Sequence, residues 1–276
     1  MTRLCDDWLG TLESGLSAYE NELRHKTGLD FAGIAAAANG LSPDIIREKA
    51  ETHTIAIIPI TSGQGVIGGF ADAVAAILRL AGFCVFVTKS ADIDGIYEAY
   101  SKGARLVFMA DDCRYIGFDL NLRRVSDNNA ATARGFVTAL TAMCPSTLAD
   151  KDVLVLGCGI IGRLAATALL EKNARPILYD KTSAAEDASR QMRIPYIRNA
   201  ADIAGYQYIL DATNEGDWLK NDMLHNNTYI SAPGVPLSLD ADALARHGER
   251  LVHDLLHIGT LAMLGELCKA EAPLYT

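Results

Sequence analysis

The pattern G-x-G-x-x-G occurs twice in the sequence, as Gly63-Gln64-Gly65-Val66-Ile67-Gly68 and as Gly157-Cys158-Gly159-Ile160-Ile161-Gly162. Both read as following a strand and opening a helix, and a turn so placed can seat a dinucleotide pyrophosphate. The glycines remove the side chains that would keep phosphate oxygens from main-chain N–H groups, and a helix N-terminus favours negative charge. The discriminating residue is a carboxylate about 20 residues on, at the tip of the next strand, where it accepts from the ribose hydroxyls. The second motif has one, because Pro176-Ile177-Leu178-Tyr179 runs into Asp180. An acid at that position repels the extra phosphate of NADP, so NAD is the expected cofactor; the neighbouring Lys181 weakens that preference. The first motif has no such acid, since Phe83–Val87 leads into Thr88-Lys89. Its glycines read either as a plain turn or as a pocket wall, with Thr61 and Ser62 at the carboxyl end of a parallel strand, where open α/β sheets bind ligands.

Other residues fall at strand ends. Asp111 and Asp112 follow the apolar run Arg105–Met109, and a carboxylate there could bind a substrate ammonium or move its proton; a helix cap or a turn is the alternative. Asn128 opens a helix, either as its cap or as a ligand for the cofactor amide. Asp211-Ala212-Thr213 and the run Ser231–Pro236, which contains Pro233 and Gly234, each end a strand of the second half and would flank a nicotinamide. His253 and His257 have the spacing of paired metal ligands, but no third ligand accompanies them. No metal is expected.

The elements that must position these groups follow from hydrophobic period. Residues 1–50 read as helical, with Trp8, Leu12, Leu16, Tyr19 and Leu23 on one face, a break at Thr27–Asp30, and a new helix opened by Ser42-Pro43-Asp44. Short apolar runs at 54–60, 83–87 and 105–109 alternate with helical segments at about 66–81 and 93–102, the signature of a parallel sheet. Residues 113–127 read as polar and irregular, and a helix from about 128 ends before Pro145. A second alternation then begins, with strands near 152–156, 176–179, 207–210, 228–230 and 250–252 and a last helix near 258–269. The expected fold class is α/β. An N-terminal α/β domain with a helical start (1–144) precedes a doubly wound Rossmann domain (145–276), and the last helix could pack on either or bridge both.

Composition narrows the class of protein. Half of the 276 residues are hydrophobic and 21% are charged, enough to bury a core. Thirty-four acids against 25 Lys plus Arg give a formal charge of −9, the wrong sign for a nucleic-acid binder. No stretch is long and apolar enough to span a membrane, and MTRLCDDWLG is not a signal peptide. The six scattered cysteines suit free thiols in a cytoplasmic protein.

Thr61–Gly68, Met109-Ala110-Asp111-Asp112, Asp152–Gly157, Ala232–Pro236 and Ile258-Gly259-Thr260, in that order, resemble the corresponding stretches of the pyrrolysine synthase family over nearly the whole chain. The family's enzymes act last in pyrrolysine biosynthesis. The resemblance implies an N-terminal substrate domain, a C-terminal NAD-binding Rossmann domain, and oxidation of the terminal amine carbon of 3-methylornithyl-lysine followed by closure of the pyrroline ring. Carried over to matching positions, it makes Ser62 and Asp111 substrate-handling groups, with Asp111 the candidate base. Asn128 would lie near substrate and cofactor, Asp180 would hold the adenosine ribose, and Leu4 would belong to a lid helix. A homo-oligomer, a dimer, is the expected assembly. Two other readings stay open: a dehydrogenase of another amine or amino acid, and a non-catalytic NAD-sensing protein.

Overall fold

A computed structural model describes residues 12–269, in two compact units. Among the described residues, one contains Leu12–Glu22, Asp30–Ala131 and Leu256–Lys269; the other contains Leu23–Leu29 and Thr132–Leu255. Trp8 and Leu4 lie outside the described residues.

The first unit is built on a five-stranded sheet. Helices α1 (Leu12–Thr27), α2 (Phe31–Ala37) and α3 (Pro43–Thr52) lead into β1 (Thr54–Ile58), then α4 (Phe70–Leu80), β2 (Cys84–Val87), α5 (Asp92–Ser101) and β3 (Leu106–Ala110). Local sequence sets the helix starts: Asp30 Oδ1 accepts from Gly33 N at 2.7 Å, and Ser42 caps α3 with Pro43 at its first position. The order is β2-β1-β3-β4-β5, with β1, β2 and β3 parallel. The segment read as irregular is instead a hairpin, β4 (Tyr115–Asp119) and β5 (Arg124–Asp127), antiparallel to β3 and to each other. The correction has a physical reason. In β4, Tyr115, Gly117 and Asp119 are buried and alternate with half-buried Ile116 and Phe118. A buried Gly and a buried Asp hide that alternation from a reading based on hydrophobicity.

The last helix, α10 (His257–Leu267), is buried on nearly every side, as an apolar helix must be when it forms a core. It packs against α2, α4, β4 and β5. An added Cβ at Gly265 would run into Ala35 O, so the glycine permits close approach to α2, and Asn39 Nδ2 donates to Ala262 O at 2.8 Å. Tyr115 Oη and Thr260 Oγ1 share a buried hydrogen bond at 3.0 Å. This helix thus belongs to the first unit.

The second unit is reached through α6 (Asn128–Met143). Its elements are β6 (Asp152–Leu156), α7 (Ile160–Glu171), β7 (Arg175–Tyr179), α8 (Ala184–Met192), β8 (Tyr208–Asp211), β9 (Tyr229–Ala232), α9 (Ala241–His247) and β10 (Leu251–His253). All five strands are parallel in the order β7-β6-β8-β9-β10, and an isolated parallel bridge from Leu178 to Tyr196 adds a vestige of a sixth beyond β7. The end of α1 is tied here by Lys26 Nζ, which donates to Leu251 O at 2.8 Å. The units divide within α6, between Ala131 and Thr132, upstream of residue 144.

Candidate functional site

In each sheet the chain runs to one side of its first strand and then crosses to the other, so the strand order reverses beside β1 and beside β6. Ligands of open α/β sheets bind outside the carboxyl ends of the strands at such switch points. The second glycine motif stands at one of them, following β6. Gly157 has φ +85°, and a Cβ on it would lie 2.8 Å from Ala212 O in the loop after β8. Gly162 would drive a Cβ into Gly157 O, so its hydrogen lets α7 close against the turn. Gly159 behaves differently: its φ of −71° suits any residue and its Cβ position faces open space. It is the glycine the protein does not need for its own packing, as expected where a pyrophosphate approaches the main chain. This cradle fits a dinucleotide. Ile160 is exposed at the start of α7 and Ile161 half-buried behind it.

Asp180, at the tip of β7, is joined directly to this turn. Its Oδ2 accepts from Cys158 N at 2.9 Å, and its Oδ1 accepts from Thr182 N and Oγ1 at 2.9 and 2.7 Å. Partial burial opposes its ionisation, but these hydrogen bonds outweigh burial and hold the carboxyl below its ordinary range. The Cys158 thiol is buried and pushed up to about 11 by burial and by Asp180, so it is not a nucleophile. Lys181 turns away into an ion pair with Glu215, from the loop after β8.

The loops after β8 and β9 interlock. The buried Asp211 accepts from Thr213 N and Oγ1 through Oδ1 and from Ser238 Oγ through Oδ2. Burial raises its pKa, against the pull of these bonds. Gly234 N donates to Asp211 O at 3.0 Å, and a Cβ on Gly234 would strike Thr213 O. Asp211 therefore shapes the loop, while Ala212, Thr213 and Pro233 are half-buried.

The other switch point carries the groups assigned to substrate. Helix α4 begins only at Phe70, so the first glycine motif does not open a helix but lies in the loop after β1, where Gly63, Gly65 and Gly69 all have positive φ. A Cβ on Gly63 would collide with the Asp112 carboxylate, whose Oδ2 accepts from Gln64 N at 2.6 Å. Glycine is required there to admit Asp112. Thr61 and Ser62 are exposed in the same loop; Thr61 N and Oγ1 both donate to the Asp92 carboxylate, which these bonds hold ionised.

Asp111 Oδ1 accepts from Arg114 N at 2.7 Å and Cys113 N at 2.8 Å, closing the β3–β4 turn. Those amides, Arg114 first, keep its carboxyl below the usual range. The hairpin then returns the chain: Met109 pairs with Ile116, and Ile116 with Asp127, so Asn128 emerges beside the Asp111–Arg114 turn. Asp127 caps α6 by accepting from Asn129 N at 2.9 Å and lies 3.5 Å from the Arg114 guanidinium. Asp92, Arg114 and Asp127 do not stand out in the sequence as site residues. Arg114 and Asp127 are hidden there because their positions depend on strand pairing.

The histidine pair is not a ligand pair on one element, because β10 ends at His253 and α10 begins at His257. His253 Nδ1 sits 2.8 Å from Ala232 O, whereas His257 packs its ring on Tyr19, centroids 4.4 Å apart. Among the described residues, no group of three or more His, Cys, Asp or Glu is placed to hold a metal, and no helix is long and apolar enough to cross a membrane.

The two sheets, with their switch points, define a Rossmann-type α/β protein, and comparison with solved structures agrees. Shikimate 5-dehydrogenase from Thermus thermophilus, in complex with NADP(H) and shikimate, superposes with a TM-score of 0.50 over 79% of this chain and 92% of that one, at 16% identity. That likeness concerns the fold. The sequence comparisons are closer. The family described as pyrrolysine biosynthesis protein PylD, N-terminal domain, matches residues 10–126. Pyrrolysine synthase of Methanosarcina acetivorans is 31% identical over 266 residues, covering 96% of this chain and 98% of that protein. The Methanosarcina barkeri enzyme is 30% identical, with 96% and 97% covered. The chain belongs to the pyrrolysine synthase family.

Proposed function

We propose that the protein is a cytoplasmic NAD-dependent dehydrogenase that oxidises the terminal amine carbon of lysine-linked 3-methylornithine, after which the product closes to the pyrroline of pyrrolysine. One observation carries the reading: a chain matching pyrrolysine synthases over 96% of its length holds, at Gly157–Gly162, a glycine turn with open space at Gly159 and its Cys158 amide bonded to the Asp180 carboxylate.

NAD, when bound, accepts the hydride. Main-chain amides of the Gly157–Gly162 turn would hold its pyrophosphate and Asp180 its ribose; Ala212, Thr213, Pro233 and Gly234 would border its nicotinamide, in loops that Asp211 keeps in shape. The N-terminal unit handles the substrate. A primary ammonium suits the ends of β1 and β3, where Asp111 and Asp92 are anionic. The Thr61 hydroxyl has committed its proton to Asp92, so it can only accept, which also suits an ammonium. Ser62 and Asn128 supply further polar contacts.

Hydride leaves carbon readily only when the amine is neutral, so a proton must first go. Asp111 takes it with Oδ2, the oxygen not used by the turn, and passes it to water, because a carboxyl held below its usual range does not keep a proton at neutral pH. The C–H bond then breaks, two electrons leave with the hydride, and the carbon becomes an iminium. The α-amine of the methylornithine part attacks that carbon and ammonia departs, either directly or after water has converted the iminium to an aldehyde; in the latter route the water is returned on closure. A five-membered ring forms with high effective molarity, so the protein needs only to orient the chain.

The test is incubation of the purified protein with NAD and lysine-linked 3-methylornithine, following NADH absorbance and product mass together. Equimolar NADH and cyclised product are expected. NADH formation only with other amines would replace the substrate assignment, and NAD binding with no reduction on any amine would leave a non-catalytic binder.

A further inference from the structure

Of ten large apolar side chains exposed among the described residues, four lie on the ten-residue helix α5: Ile93 and Tyr97, 79% and 73% exposed, Tyr100, also 73%, and Ile96. Their spacing places them on one face. The opposite face is made of small residues. Gly95 lies tight against Ile58, and Ala99 is buried among Ala56, Ile58, Ala104 and Val107, so α5 sits down on the sheet through Gly95 and Ala99 and turns its bulky apolar face outward. A surface helix ordinarily does the reverse.

We propose that this face is where two copies of the chain associate, α5 packing antiparallel on α5 of a second copy about a two-fold axis between residues 96 and 97. The side-chain order argues for a second copy. Both isoleucines precede both tyrosines, so antiparallel packing about that axis sets Ile93 against the other copy's Tyr100 and Ile96 against its Tyr97, an aliphatic on an aromatic at every step. Lys102, which follows the helix, is paired with Glu98 of its own chain at 2.6 Å, so no uncompensated basic charge faces a like charge across the axis, and antiparallel helix dipoles favour the arrangement. A two-fold interface must be self-complementary in this sense.

The size also fits. At about 150–250 Å² per aromatic side chain, the two tyrosines alone expose on the order of 300 Å². With the isoleucines the stripe supplies more than half of the roughly 800 Å² that a stable interface takes from each partner, and Asp94, Glu98 and Lys102 make a polar rim. The chain's own C-terminal helix covers the other side of the sheet: Leu267 of α10 meets Gly117, whereas Phe118, next along β4, packs in the cluster that holds Ala99.

The experiment is sedimentation velocity on the full chain over a concentration series. Twice the chain mass is expected for the unmodified protein. Tyr97→Glu and Ile93→Glu, both at exposed positions and therefore expected to keep the native circular dichroism, should weaken association by about 100-fold or more. Leu244→Glu, at an exposed apolar site on α9, should leave the dimer intact. A protein monomeric throughout the series, or a dimer indifferent to both α5 substitutions, would overturn the proposal.

Discussion

Asp180 Oδ2 lies 2.9 Å from Cys158 N, so the carboxylate at the tip of β7 is bonded to the second residue of the glycine turn after β6. The residue proposed to read the ribose and the turn proposed to seat the pyrophosphate are thus one hydrogen-bonded unit. Asp180→Asn, which keeps size but removes charge, is expected to weaken NAD binding by about 10- to 100-fold, the worth of a hydrogen bond to a charged group, as measured by calorimetry. The pH dependence follows from the depressed folded pKa. The contribution of Asp180 is complete above the unfolded carboxylate value and lost only as pH falls through the lower folded one. NAD affinity should therefore be flat from about pH 8 to 5, and a loss within that window would remove Asp180 from the role.

Asp111 separates charge from structure. In Asp111→Asn the side-chain oxygen can still accept from Cys113 N and Arg114 N, so the turn should survive with a melting temperature near that of the parent. The anion is gone, and turnover should fall by about 100-fold or more with the NAD dissociation constant unchanged. Near-normal turnover would show that the proton leaves by another route.

Two glycines of one motif should fail in opposite ways. Gly162→Ala places a methyl against Gly157 O and should destabilise the protein by about 1–3 kcal/mol. Gly159→Ala meets open space and should leave thermal stability alone while reducing NAD binding, because the methyl stands where the pyrophosphate approaches. Parallel thermal melts and NAD titrations distinguish the two, and equal NAD affinity in Gly159→Ala would place the pyrophosphate elsewhere.

Glu215 bears on the choice between NAD and NADP. It engages Lys181, raises that amine's pKa, and so draws away the cation nearest Asp180. Glu215→Gln should release Lys181 toward a 2′-phosphate and improve NADP binding relative to NAD by about two- to fivefold, the scale of an exposed ion pair. Titration of both nucleotides with each protein checks this; an unchanged ratio would mean that Asp180 alone sets the preference.

The parts of the site legible in the sequence are those made by contiguous segments. Gly157, Gly159, Gly162 and Asp180 stand out because strand, turn, helix and strand succeed one another, and Asp30 and Ser42 cap the helices they precede. The first glycine motif is legible as glycine but not as cause. Gly63 is glycine because the Asp112 carboxylate, which also accepts from Gln64 N, must fit against it, and no local pattern reports that. Asp211 reads in the sequence as a residue flanking the cofactor; its burial and its bond to Ser238 depend on how the loops after β8 and β9 meet.

From residue order alone came the α/β class and the strand–glycine-turn–helix unit with an acid at the tip of the next strand, because hydrophobic period and glycine spacing act over a few residues of backbone. Only the folded chain decided that residues 115–127 pair as a hairpin, bringing Asn128 to the Tyr115 end of β4, and that α10 returns to the core of the first unit. Strand register and helix burial are chosen by distant partners competing for the same apolar surface, and that competition is settled by packing, not by local preference.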